Sequence, residues 1–125
     1  MDSVAVTPLE RAWAGWTEAL DGHPFVTVSD LFAELAQGFS KGQGARWWPG
    51  EHSDVFTRID RGVLEIGPVA GDADEMLNII LPQIEDWARA EGCAEVHVQA
   101  GRSGWSRVLK PLGYAEAAVI LRKKL

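Results

Sequence analysis

The chain has 125 residues, 46% hydrophobic and 24% charged, the balance of one ordinary globular domain spanning 1–125, and no apolar run approaches the roughly 20 residues that cross a bilayer. Its 12 basic and 18 acidic residues leave a net charge of -6, which repels nucleic-acid phosphate, and basic residues cluster only at Arg122-Lys123-Lys124. The stretch Met1-Asp2-Ser3-Val4-Ala5-Val6 lacks the basic flank and apolar block of a secretory signal, and the single Cys93 has no internal disulfide partner, so a reducing, cytoplasmic setting is expected.

Thr7-Pro8-Leu9-Glu10 has the spacing of a capping box, with Thr7 placed to accept from the third helical N–H and Pro8 suited to the first turn. A helix is predicted from there, with Leu9, Trp13, Trp16 and Leu20 as its core stripe and Asp21-Gly22-His23-Pro24 as its end. Ser29 or Asp30 opens a second helix carrying Leu31, Phe32, Leu35 and Phe39, and Gly38, Gly42 and Gly44 dissolve it into a loop. From Ala45 the pattern becomes that of strands: Arg46-Trp47-Trp48, then residues 54–59 after a Pro49-Gly50 turn, then residues 63–69 after Asp60-Arg61-Gly62. Three short runs joined by tight turns predict an antiparallel meander.

Asp72 and Glu75 again stand at capping-box spacing and open the longest helix, with Met76, Leu77, Ile80, Leu81, Ile84, Trp87 and Ala88 as its buried face and Gly92 as its stop. Pro82 lies inside it and has no N–H for the carbonyl of Asn78, so a kink or a break is expected there. Residues 94–99 form a strand with Val96 and Val98 on one face and Glu95, His97 and Gln99 on the other. A final helix burying Trp105, Val108, Leu109 and Leu112 leads through Gly113-Tyr114 to a last strand over 117–121. Strand, long helix, strand is a right-handed crossover by default, which makes those strands parallel and the sheet mixed, an α+β fold.

Chemistry is harder to place. His97 between Glu95 and Gln99 is a candidate base, although polar residues alternating on a strand are also what a solvated face looks like. His23 and His52 sit in separate turns without metal-ligand spacing, so no metal is expected, and Cys93 reads as a small buried residue opening a strand. Arg102 and Ser103, between Gly101 and Gly104, set a cation and N–H donors at a helix start, where an anion could bind or Ser103 could simply cap. Trp47 and Trp48 are adjacent on a strand and point to opposite faces; one of them, beside Arg46, is a candidate interface anchor unless it lies under the N-terminal helices.

The element order resembles that of the GNAT-type acetyltransferase superfamily. The residues that carry the resemblance are Ala88 and Gly92 in Trp87-Ala88-Arg89-Ala90-Glu91-Gly92-Cys93, which look like the end of that family's long helix, and Leu112-Gly113-Tyr114, which look like its closing Leu-Gly-Phe/Tyr. It covers residues 63–125 well and the earlier part weakly. It implies a GNAT-like fold with acetyl-coenzyme A as ligand, the pyrophosphate held by backbone N–H groups at the start of the long helix, in a loop of the form Arg/Gln-x-x-Gly-x-Gly/Ala. Glu75 and Leu77 stand where that loop has its glycines, and Asp72, Asp74 and Glu75 bring carboxylates to a helix end that otherwise attracts anions. The family's Asn at the opening of the last helix and its Tyr four residues before the closing Gly correspond here to Arg102 or Ser103 and to Leu109. The run Gly101-Arg102-Ser103-Gly104-Trp105-Ser106-Arg107 is similar to one in small phage-encoded GNAT-like proteins, which implies a virion or assembly role.

The expected function is therefore that of a divergent GNAT-like domain, noncatalytic, serving as a structural or interaction protein. A protein partner or self-association is expected, and no cofactor, metal, nucleic acid or membrane. The alternative is an acetyl-coenzyme A-dependent N-acetyltransferase with an unusual cofactor loop. In it Gly67, Val69 and Gly71 cradle the phosphates with Arg102 and Ser103, and His97, Glu65 or Tyr114 serves as catalytic group.

Overall fold

Thr7 caps the first helix as its spacing predicts: its hydroxyl oxygen accepts the Glu10 N–H at 3.1 Å, and α1 runs over Pro8–Ala19. The computed structural model describes residues 6–23, 26–37, 44–98, 103–115 and 123. Helix α2 spans Val28–Gln37 and starts earlier than Ser29 or Asp30, because Thr27 and Asp30 cap it reciprocally: Asp30 Oδ2 accepts the Thr27 N–H at 2.9 Å and Thr27 Oγ1 accepts the Asp30 N–H at 3.3 Å.

The meander follows as β1 (Gly44–Pro49), β2 (Ser53–Asp60) and β3 (Val63–Gly71), and β4 (Glu95–Val98) joins β3 in parallel. The order β1-β2-β3-β4 is thus a mixed sheet, as the crossover argument requires. Helix α3, over residues 73–90, makes the crossover. It is continuous but not uniform: an α turn at Ala73–Glu75, a π turn at Met76–Ile80, then α-helix over Leu81–Ala90. The Leu81 N–H bonds the Met76 carbonyl, one residue further back than in an α-helix. Pro82 therefore does not break the helix. The wide turn just before it absorbs the residue that cannot donate. Helix α4 covers Ser103–Leu109 and tightens into a 3-10 turn at Lys110–Leu112, closed by Gly113 at φ 93°.

Two cores sandwich the sheet. On one face Trp48, Val55, Ile59, Leu64 and Ile66 pack against Met76, Ile80, Leu81, Ile84 and Ala88 of α3 and Leu109 of α4. On the other, Phe56 packs with Ala12 and Trp16 of α1 and Leu31 of α2, with Trp47 beside them. The expected stripe of α1 needs correction: Leu9 is 55% and Trp13 45% exposed, whereas Ala12 and Trp16 are fully buried. The small residues explain the rotation. A Cβ on Gly15 would lie 2.7 Å from that of Ala70, so α1 approaches the sheet along Ala12 and Gly15 rather than along its bulkiest side chains. Val108 and Leu112, expected inside, are 40% and 48% exposed, the 3-10 turn having carried Leu112 outward. Phe39, Gln99, Arg102 and the expected strand over 117–121 lie outside the described residues. No helix among the described residues is long and apolar enough to cross a membrane.

The turn between β1 and β2 is gripped from both sides of the sheet. From α1, Arg11 donates to the carbonyls of Gly50 and Glu51, each at 2.7 Å, and to that of Ser53 at 3.1 Å. The same guanidinium meets Asp54 at 2.8 Å and 3.0 Å, and Asp54 also accepts the Trp47 indole N–H at 2.9 Å. From α3, the Glu75 carboxylate accepts the N–H of Glu51 at 3.0 Å, the N–H of His52 at 2.9 Å and the Ser53 hydroxyl. A cation thus takes the turn's carbonyls and an anion its N–H groups.

Burial separates this cluster from its surface counterpart. The Asp54 side chain is 2% exposed, while in the equally close Arg58–Glu34 pair Glu34 is 38% exposed. Asp54→Ala, which removes the buried counter-charge of Arg11 and orphans the Trp47 indole N–H, is expected to cost about 3 kcal/mol in urea unfolding, against about 1 kcal/mol or less for Glu34→Ala. Equal losses would contradict this ranking. Hydrogen bonds from Ser53, then from the N–H groups of His52 and Glu51, hold the Glu75 carboxyl below its ordinary 4.5. A depressed carboxyl stabilises fully above its unfolded value, and that contribution is lost as pH falls through the folded one. Wild type should therefore melt higher than Glu75→Gln at neutral pH, with the gap closing below about pH 4.

Candidate functional site

The site implied by the resemblance lies at the start of α3, beside the end of β3. The ladder between β3 and β4 joins Val63 through Ile66 to Glu95 through Val98, and β3 then continues to Gly71 paired with β2. Among the described residues, Gly67 and the four after it have no partner on the β4 side. The three expected cradle residues have different surroundings. Gly67, at φ 137°, has open space where a Cβ would stand, and Val69 packs against the α3-side core. Gly71, at φ 114°, is tight against β2, since a Cβ there would run into the His52 carbonyl and Ser53. Gly71 is thus required by the close approach of its own hairpin.

The start of α3 is closed by its own acids. Asp72 Oδ1 accepts the N–H of Asp74 at 2.9 Å and that of Glu75 at 3.3 Å, and the Asp72 N–H donates to the His52 carbonyl at 3.2 Å. Glu75 does not reach back to Asp72, as a full capping box would have it; it turns to the β1–β2 turn instead. A helix start binds phosphate through free N–H groups and a positive end, and here a carboxylate holds two of those N–H groups while a second carboxylate, kept ionised, stands beside it. These residues do not fit the pyrophosphate of acetyl-coenzyme A.

The candidate catalytic groups divide between the two faces. Glu65 and His97 are register partners on β3 and β4, pointing away from the core face that holds Leu64 and Val96. Arg58, opposite Glu65 on β2, lies 3.7 Å from its carboxylate, and His97 Nε2 stands 3.4 Å from Glu95 Oε2. The sheet therefore assembles a row Arg58, Glu65, His97 that sequence reading had left scattered. Tyr114 belongs to the other side. Its hydroxyl donates to Glu85 of α3 at 2.8 Å, and burial, reinforced by that carboxylate, pushes its acidity far below that of a free phenol. It holds its proton and is already committed, and Leu109, at the position of the family's Tyr, is 5% exposed in the core.

A groove of about 450 Å³ lies between the end of α3 and the start of β4, lined by Glu85, Arg89, Cys93, His97 and Tyr114 among others. It opens beside Cys93 and Ala94, before β4, whereas the start of α3 follows the end of β3. Burial pushes the Cys93 thiol up, with Glu91 adding to the effect, so it is a poor nucleophile. No group of three potential metal ligands occurs among the described residues. Ser103 is the first residue of α4, and its partner Arg102 lies outside the description. Of the candidate interface residues, Trp48 is 7% exposed in one core and Trp47 lies half-buried against Trp16 in the other, so the adjacent indoles serve the two cores and only Arg46 reaches solvent. What sequence reading missed is the grip on the turn: Glu75 is 23 positions from His52 and Arg11 is 43 from Asp54, and no local spacing connects them.

No family model matches the sequence, and no curated protein matches it. Solved structures do match in three dimensions. An acetyltransferase from Trypanosoma brucei superposes with a TM-score of 0.64 at 13% identity, covering 98% of this chain and 96% of that one. A glucosamine-6-phosphate N-acetyltransferase from Arabidopsis thaliana gives 0.61 at 13% identity, covering 98% and 95%. An aminoglycoside 6'-N-acetyltransferase from Acinetobacter haemolyticus gives 0.53 at 15% identity, covering 93% and 94%. At these identities the likeness speaks for architecture alone, and it agrees with the mixed sheet and the crossover helix: the chain has the GNAT fold, in a divergent form, over nearly its whole length.

Proposed function

We propose that this chain uses the GNAT fold for binding rather than for acyl transfer, as an interaction or structural protein without acetyl-coenzyme A. The observation that carries the reading is the pair of carboxylates at the start of α3, Asp72 on the helix N–H groups and Glu75 on the turn. A pyrophosphate entering there must displace both and accept their repulsion. Leu109 in place of a tyrosine, and a Tyr114 hydroxyl given to Glu85, support the same reading. None of the three similar structures is a phage protein, and a virion role adds nothing to this account.

A second reading has its own support. The three similar structures are all acetyltransferases, and Glu65 with His97 forms a polar pair on one face. In that reading Glu65 or His97 takes the proton of an amine, and the cofactor phosphates lie over Gly67 rather than on the helix start.

Isothermal calorimetry with acetyl-coenzyme A separates the two. The binding reading expects no heat of association up to about 1 mM ligand, a ceiling weaker than about -4 kcal/mol. A micromolar dissociation constant would overturn it in favour of the acetyltransferase.

A further inference from the structure

Helix α3 changes register where it meets the turn at residues 50–53. The Met76 N–H bonds the Asp72 carbonyl, four residues back, at 3.1 Å, as an α-helix requires, whereas the Leu81 N–H reaches five residues back, to Met76. One extra residue therefore lies between Met76 and Leu81. A wide turn of this kind is rare in helices, so a specific contact has to favour it.

Both ends of the wide turn meet Gly50. A Cβ on Gly50 would run into the Glu75 carboxylate and lie 2.9 Å from the tip of the Ile80 side chain, so glycine there lets both flanks close on the turn. Glu75, the residue just before the wide turn, holds the N–H groups of Glu51 and His52 and the Ser53 hydroxyl. Met76 and Ile80, inside it, are buried.

If the extra residue were taken up while Leu81–Ala90 stayed in place, the preceding residues would rotate by about 100° and each would move to the place of its predecessor. The core tolerates that change. Leu77 would take the place of Met76, and it is apolar, of similar volume and already packed against the same core. The turn does not tolerate it, because Met76 would take the place of Glu75, and a thioether is no substitute for a carboxylate accepting from Glu51, His52 and Ser53. The grip and the α register therefore exclude each other.

We propose that the turn between β1 and β2 sets the register of α3, with Glu75 rather than Pro82 as the residue that keeps residues 76–80 wide. Pro82 is the competing cause, since in an α register its ring meets the Asn78 carbonyl. An acceptor that takes the N–H groups of Glu51 and His52 from Glu75 thereby shifts the start of α3, which makes the contact a conformational coupling between sheet and helix. The inference goes beyond the binding reading and stands whether or not acetyl-coenzyme A binds.

Scalar couplings across hydrogen bonds, read by NMR on the full chain, report which carbonyl the Leu81 N–H meets. Wild type and Pro82→Ala should both couple Leu81 to Met76, because the grip is intact in each. Adding Glu75→Ala to Pro82→Ala should move the coupling to Leu77, four residues back. Gly50→Ala in the Pro82→Ala background crowds the same carboxylate and should give the same move, which keeps the test open if loss of Glu75 unfolds the chain. A Pro82→Ala protein that moves to Leu77 by itself assigns the wide turn to the proline, and a folded double variant that keeps the Met76 coupling assigns it to the core. Either result overturns the proposal.

Discussion

The turn at residues 50–53 ties the helices on both faces to the sheet. A four-residue turn exposes carbonyls on one side and N–H groups on the other, and here each set is taken by a side chain of the matching charge. Arg11 reaches it from α1 and Glu75 from α3, helices on opposite faces of the sheet. Asp54 at the root of the turn ties Arg11, Trp47 and, through its carbonyl, the Trp16 indole at 3.2 Å, so the N-terminal helix is registered against the sheet by polar bonds as well as by packing. Buried polar groups fully satisfied in this way fix one arrangement, since any slip leaves a charge without its partner.

This arrangement also decides what the start of α3 can do. In a GNAT fold the strands part beside that helix, and the dipole and free N–H groups there favour an anion. The chain has supplied the anion itself. Asp72 closes the helix and Glu75 closes the turn, so two N–H groups of the helix start and two of the turn already have carboxylate acceptors. The fold and the cofactor seat are separable features, and a likeness of architecture at 13% identity transfers only the first.

Local chemistry was legible in the sequence wherever cause and effect lie within a few residues. Thr7 and Asp72 cap the helices they precede, the meander pairs in order, and β4 lies parallel to β3. Failures came where a small residue outweighed a large one, as at Gly15, or where a wide turn accommodated Pro82 without a break. The candidate site was half legible. The acids at Asp72 and Glu75 could be read as hostile to phosphate, but not the target of Glu75, because backbone N–H groups of a distant turn leave no mark in residue type. The pairing of Glu65 with His97 needed the register of two strands separated by a whole helix.

The claim that the chain's own carboxylates fill the anion seat is most directly tested by amide NMR of the wild-type protein with inorganic pyrophosphate at neutral pH, following Glu51, His52, Asp74 and Glu75. Those four N–H groups already have carboxylate acceptors, so their signals should stay in place while the ligand reaches millimolar concentration. A saturable shift of that set, with the rest of the spectrum unchanged, would show that the seat is open and contradict the account.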